Sequence, residues 1–344
     1  MKISHERLME AVTEIMTGLG AAQKEAELVA DCLVRANMRG IHSHGVKYLG
    51  MISKRIREKM LEVPTRAEII KESGGVSLVD GSNGLGQVAG ELAMNQSLKN
   101  AKEHGIAITF VRHTNNVGFL SYYTMMAARS DMVGICGCNA APSISLWGGL
   151  EAVLGSNPIS LAFPGETAPL VMDLSVSNVA RGKIREADRL NLKIPPTWAF
   201  GPDGEPTEDP AQALKGTLMP IGGPKGVALA IAVDLLAGMI SGSKYSKDVK
   251  TFHKLVGNTG VGAFFIAINP AAVIDPALFK TLLSEYVVKI KGDDPGKADS
   301  SLFLPGEIEQ KSEDNALREG IELDDMAIET LNTMLLENNS KIKL

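Results

Sequence analysis

The sequence predicts a mixed α/β fold in which helices and strands follow one another without the strict alternation of a doubly wound parallel sheet. Three observations carry this. Residues 5 to about 60 repeat with a helical period, and from about residue 66 the period shortens to that of strands. At 344 residues and 44% hydrophobic, the chain can bury one large domain or two intertwined ones.

Leu8, Val12, Ile15 and Met16 form one apolar stripe, and Ala26, Val29, Ala30 and Leu33 another, so amphipathic helices are expected, one of them over 21–38. A further helical stretch covers 46–59. Strands are expected at 67–71 and 76–80, a helix at 87–104, a strand at 106–111, a polar turn at 112–116, a helix from 118 to about 129 and a buried strand at 132–138. The stretch 139–220 is dense in Gly and Pro, with short strands at 159–163 and 170–172. Six of the sixteen prolines fall between 195 and 220, beside Trp198 and Phe200, which reads as an ordered irregular loop rather than disorder. The run 227–240 carries Asp234 and is too short and too charged to span a bilayer, so it reads as a buried core helix. A strand at 263–268, an acidic insert at 292–296 and a closing helix over about 324–336 complete the chain.

A net charge of −5, from 35 basic and 40 acidic residues without a long basic block, argues against nucleic acid as a partner. Cys32, Cys136 and Cys138 are too few for a disulfide framework and read as reduced, interior thiols, which suits the cytosol. The first residues read as the start of an amphipathic helix rather than a signal peptide, so the expected location is cytoplasmic, away from membranes.

The densest chemistry lies in Arg39-Gly40-Ile41-His42-Ser43-His44-Gly45, between two helical stretches. Imidazoles both donate and accept protons near neutrality, and flanking glycines permit a sharp turn. His42 is expected to buttress this corner. H-x-H without a nearby carboxylate is a thin ligand set, so no metal is expected. Gly84-Leu85-Gly86-Gln87-Val88-Ala89 fits G-x-G-x-x-A between a strand and a helix, as in a dinucleotide-binding turn. The next strand nevertheless ends in Val111-Arg112, not in an acid that would hold ribose, and no second βαβ half follows.

Further segments are Trp147-Gly148-Gly149, Leu154-Gly155-Ser156-Asn157-Pro158, Met172-Asp173-Leu174-Ser175, Ala180-Arg181-Gly182-Lys183-Ile184, Pro220-Ile221-Gly222-Gly223-Pro224-Lys225-Gly226 and Leu304-Pro305-Gly306-Glu307. With the His-Ser-His-Gly element, their order from about residue 3 to 335 resembles the malate/L-lactate dehydrogenase family of NAD(P)-dependent oxidoreductases, which is distinct from the Rossmann-type enzymes of similar name. The resemblance implies a large, mostly antiparallel sheet wrapped by helices, and homodimers whose active sites use both subunits. It implies cofactor contacts at Asp173, Leu174, Ser175, Lys225, Pro305, Gly306 and Glu307, with NAD slightly preferred to NADP. It implies His44 as the acid/base, acting as imidazolium on a 2-oxo acid, with Ser43 hydrogen-bonding substrate or nicotinamide. The expected domains are a discontinuous helical unit, 1–75 plus 280–344, and a dinucleotide-binding sheet unit, 76–279, with an irregular insert at 185–220.

The chain departs from the family's pattern at three places. Tyr48, preceded by Lys47, stands where members usually carry an arginine for the substrate carboxylate. Lys47 and Tyr48 are expected to share one helical face and replace it. Asn116 stands where a second histidine is usual, and the segment around Ala141 is small and apolar. Arg112 and Arg181 are candidate partners for a 2′-phosphate. The expected substrate is a small 2-hydroxy or 2-oxo acid, malate-, lactate- or ureidoglycolate-like, contacted by Lys47, Tyr48 and Asn116. A cyclic imine and dinucleotide binding without turnover are the alternatives.

Overall fold

The computed structural model describes residues 2–292 and 302–344. Its helices are α1 (His5–Gly18), α2 (Gln23–Met38), α3 (Leu49–Arg57), α4 (Gly86–His104), α5 (Ser121–Arg129), α6 (Arg181–Arg189), α7 (Pro210–Lys215), α8 (Pro224–Asp234), α9 (Pro276–Lys291), α10 (Glu307–Glu319) and α11 (Asp325–Glu337). The main sheet comprises β1 (Glu68–Ser73), β2 (Val76–Asp80), β3 (Ile106–Thr114), β4 (Val133–Cys138), β5 (Ile159–Phe163), β6 (Leu170–Leu174) and β7 (Val261–Ile268).

The sheet order is β1-β2-β3-β7-β4-β5-β6, and every neighbouring pair is antiparallel except β2 and β3, which are joined through α4. The strict alternation of a doubly wound parallel sheet is absent, as the sequence predicts, and the mostly antiparallel sheet implied by the family resemblance is present. The central strand β7 is buried on both faces, so it reads as a continuous apolar run. Phe265 joins the core made by α4, α5 and the sheet, whereas Phe264 points to the opposite face, against Val233 and Ala237. A second core gathers Leu8, Val12, Leu33, Leu49, Leu331 and Leu335, so the two ends of the chain pack together. A third, smaller core holds Ile144, Leu154, Val176, Ile184, Leu218 and Val227.

The run 227–240 differs from its expected character as a buried helix. It is α-helical to Asp234 and then forms a π-helical stretch, Leu235–Ile240, with Ile231, Leu235, Met239 and Ile240 exposed. Only one side faces the sheet. Asp234 is buried and satisfied, accepting from Asn139 Nδ2 at 3.1 Å and from the Ser246 amide at 2.9 Å. The Gly- and Pro-rich stretch contains α6 and α7 as well as loops, and α9 and α10 have no counterpart in the sequence reading. The acidic insert lies, beyond Gly292, outside the described residues. No described helix is long and apolar enough to cross a membrane.

Candidate functional site

The corner between α2 and α3 is set by Asn37. Its buried Oδ1 accepts from the Val46 amide at 2.8 Å, and its Nδ2 meets His42 Nδ1 at 3.3 Å. His42 thus buttresses the turn. Two successive 3₁₀ turns, His42–His44 and Val46–Tyr48, replace the expected helical start. Gly45, extended at φ −87° and ψ −163° between the two turns, interrupts the single helical face expected to run from His44 through Lys47 and Tyr48. Lys47 points outward to an ion pair with Asp324 at the N-cap of α11, while Tyr48 is buried. The shared Lys47/Tyr48 face expected from the sequence therefore does not form.

His44 is half-buried. Its Nδ1 lies 3.0 Å from Ser43 Oγ, its ring stacks on Tyr48 with centroids 5.9 Å apart, and no described group bonds its Nε2. Burial, and secondarily His253, lowers its pKa to about 4. The imidazole is thus neutral at pH 7. The Ser43 hydroxyl can accept from Nδ1–H, which leaves the Nε2 lone pair open to a reacting hydroxyl.

Sequence reading missed His253, an isolated histidine without informative spacing. Its loop is fixed from beneath by the buried Arg55, which donates to the carbonyls of Lys254 at 3.0 Å and Gly257 at 2.8 Å and lies 4.9 Å from the centroid of the Phe252 ring. Phe252 stacks on Tyr48 at 5.3 Å, and the Tyr48 hydroxyl lies 3.3 Å from His253 Nε2. Burial and the nearby Arg185 lower the His253 pKa, while burial raises that of Tyr48. The result is a neutral cluster of two imidazoles and a phenol.

The segments that the family resemblance assigns to the cofactor converge on β6. Asp173 is exposed; desolvation by the surrounding protein raises its carboxyl pKa, opposed by the Ser121 amide that donates to Oδ2 at 2.8 Å. Leu174 is exposed, and Ser175 Oγ lies 2.7 Å from Ser177 Oγ. The next residue, Val176, accepts from the Ile221 amide at 2.9 Å, which brings the 221–225 turn alongside. Lys225, in the first turn of α8, is exposed and has no ion pair among the described residues. At the other end of β6, Gly306 packs so closely that a Cβ would lie 2.8 Å from the Val171 carbonyl oxygen. Glu307 begins α10, accepts from the Leu304 amide at 2.8 Å and pairs with Lys291 at 2.7 Å, while Pro305 is exposed. Cys138, at the end of β4, is within electrostatic reach of both Tyr48 and Asp173, and so connects the histidine corner to this strip.

An unpaired ammonium in the first turn of a helix suits a pyrophosphate, and a carboxylate with one oxygen unengaged suits ribose hydroxyls. A nicotinamide dinucleotide therefore fits this donor set. The Gly84–Ala89 turn does not serve this purpose. A Cβ on Gly86 would stand 2.2 Å from the Asn116 carbonyl oxygen, and one on Gly84 would strike Thr65, so protein already fills the space a phosphate would need. Arg112 is paired with Asp80 at 2.9 Å, and Arg181 donates to the Leu214 carbonyl at 2.6 Å. Asn116 is half-buried and its Oδ1 accepts from the Gly118 amide at 2.9 Å, which leaves its Nδ2 for other contacts. Among the described residues no cluster of three or more His, Cys, Asp or Glu side chains could hold a metal.

The fold and this strip of polar groups define a dehydrogenase of the non-Rossmann type. The family model for malate/L-lactate dehydrogenases matches residues 3–332, and the chain belongs to that family. L-sulfolactate dehydrogenase of Methanocaldococcus jannaschii is 34% identical, over 94% of this chain and 93% of that protein. The solved structure of the sulfolactate dehydrogenase from this organism superposes with a TM-score of 0.93 at 33% identity, covering 99% of this chain and 98% of the other. The NAD(+)-dependent ureidoglycolate dehydrogenase of Escherichia coli is 30% identical over 99% and 97% of the two chains. A (2R)-3-sulfolactate dehydrogenase of Chromohalobacter salexigens, which uses NADP(+), is 32% identical over 83% and 89%. This chain is accordingly an NAD(P)-dependent oxidoreductase.

Proposed function

We propose that the protein moves a hydride between a nicotinamide dinucleotide and a small 2-hydroxy or 2-oxo acid, with His44 handling the hydroxyl proton. When bound, the dinucleotide supplies or accepts the hydride. Asp173, Leu174, Ser175, Lys225 and the 305–307 turn hold it. The observation that carries this reading is the half-buried His44 with an open Nε2, stacked on Tyr48, which Cys138 links electrostatically to Asp173 of β6. A neutral imidazole is poised to remove the proton of a hydroxy acid, so the imidazolium expected from the sequence gives way to a general base in the resting protein. Ser43 holds the tautomer.

NAD is the favoured cofactor in this reading, because Arg112 and Arg181, the two arginines considered for a 2′-phosphate, are already engaged. A second copy of the chain is the expected partner: α9 has no buried residue and exposes Leu278, Leu282 and Tyr286. The discontinuous helical unit formed by both chain ends is part of the same proposal. The test is a panel of 2-oxo acids, 2-hydroxy acids and cyclic imines followed by NADH and NADPH absorbance, with His44→Ala alongside. Loss of turnover in that variant with NADH binding retained supports the reading. Undiminished turnover removes His44 from the chemistry.

A further inference from the structure

We infer that the acid group of the substrate is gripped by Arg185 of α6, with the hydrogen-bonded Tyr48–His253 pair supplying one neutral donor beside it. The inference rests on the hydroxy-acid reading and names the residue that gives this site its charge selectivity. An anion entering a crevice of neutral rings needs a cation whose charge is not already committed.

The cations near the corner can be taken in turn. Lys47 is paired with Asp324. Arg39 is buried in an ion pair with Glu313, and Arg55 is buried under the 252–257 loop. On α6 itself, Arg181 donates to the Leu214 carbonyl and Arg189 pairs with Glu186 at 2.6 Å. Arg185 and Lys183 are exposed without a hydrogen bond or ion pair among the described residues, and of these two Arg185 is the one within electrostatic reach of Tyr48 and His253. Its neighbour Ile184 is fully buried against Val176, Val179 and Val227, which anchors the helix. Arg185 lies within electrostatic reach of Tyr48 and His253, Glu186 of Lys47, and Arg189 of Asp324. These pairings run α6 along the His42–Tyr48 turn. Tyr48 and His253 are already hydrogen-bonded at 3.3 Å with their rings edge-to-face at 5.4 Å, so both are held in one place. The guanidinium fork supplies the charge and a bidentate grip; the phenol–imidazole pair, joined by one hydrogen bond, adds one donor, the Tyr48 hydroxyl or the His253 Nδ1–H according to the tautomer.

The test compares wild type with Arg185→Ala, Arg185→Lys and the control Arg189→Ala, using pyruvate, oxaloacetate and 3-sulfopyruvate as reducible acids and oxamate as a non-reacting probe. Arg185→Ala is expected to raise KM for the preferred acid, and Kd for oxamate, by roughly 10–100-fold. Its kcat stays within about threefold of wild type and its NADH affinity is unchanged, the pattern of lost uniform binding. Free guanidinium ion restores part of the KM, Arg185→Lys recovers less than the native fork, and Arg189→Ala behaves as wild type. An unchanged KM and oxamate affinity in Arg185→Ala overturns the inference, as does a parallel loss of NADH affinity. Wild-type silence on all acids would instead refute the hydroxy-acid reading, which keeps the two failures distinct.

Discussion

Burial of His44 makes a quantitative demand on the pH dependence of the reaction in its two directions. With a pKa of about 4, only about one molecule in a thousand carries the imidazolium at pH 7. The oxidative direction needs the neutral base, which is already saturated. Its kcat/KM should therefore change by less than about twofold between pH 8 and 5. The reductive direction needs the rare acid, so its kcat/KM should rise about tenfold for each unit of acidification, roughly 100-fold from pH 7 to pH 5. The ratio of the two must follow the proton concentration, because reduction consumes one proton; the pKa of the group decides only which direction carries the dependence. The assay is initial-rate kinetics at subsaturating substrate in both directions, repeated with His44→Gln. That variant should lose about 10²–10⁴-fold and its residual profile should lack the His44 ionisation. An oxidative rate that falls tenfold per unit below pH 6.5, with reduction levelling there, would show an ordinary imidazole and refute the reasoning.

Four other outcomes follow from the packing. Arg55→Ala removes the donors that fix the 252–257 loop and is expected to cost about 3 kcal/mol or more in urea unfolding while displacing His253. Glu313→Ala strands the buried Arg39 and should cost about 3–5 kcal/mol by the same measurement. Gly86→Ala forces the 115–118 loop aside and should lower stability by about 1–3 kcal/mol while NADH affinity, read by fluorescence, stays put; a selective loss of NADH binding would revive the phosphate-cradle reading of that turn. The fourth is acid sensitivity. The unfolded chain protonates His44 below about pH 6.5, whereas the folded chain resists until about pH 4. More protons bound in the unfolded state means stability falls as pH drops through that window, and the fall should be shallower in His44→Gln.

Legibility from sequence depended on whether a segment has one dry face. Helices α1, α2, α4 and α11 each bury an apolar stripe, and their positions were readable from period alone. Helix α6 buries only Ile184 among its nine residues, α10 buries only Glu313 and α9 buries nothing, so no stripe announced them. The run 227–240 misled for the converse reason: its outward residues are as apolar as its inward ones, and hydropathy alone cannot tell an exposed apolar face from a buried one. At the site, His44 was visible because glycines and a second imidazole mark its loop. Asp173, Lys225 and the 305–307 turn came through family likeness, and their common relation to β6 is a tertiary fact. His253 and Arg185 reach the corner only through long-range folding and left no local trace.

The electrostatic plan of the site joins these observations. Lys47, Arg39 and Arg55 are neutralised or buried in structural roles, and the two imidazoles at the corner are held uncharged. Among the described residues, Lys225 of α8 and Lys183 and Arg185 of α6 carry no ion pair. The third core packs these two helices together through Val227 and Ile184. In the proposed reading, Lys225 takes the phosphates of the dinucleotide and Arg185 the carboxylate of the hydroxy acid, so the two ligands do not compete for charge. A compound lacking the acid group would forfeit the second contact and retain only the neutral donor. Discrimination between an acid and its amide should therefore appear in KM at Arg185, while the chemical step at His44 treats both alike.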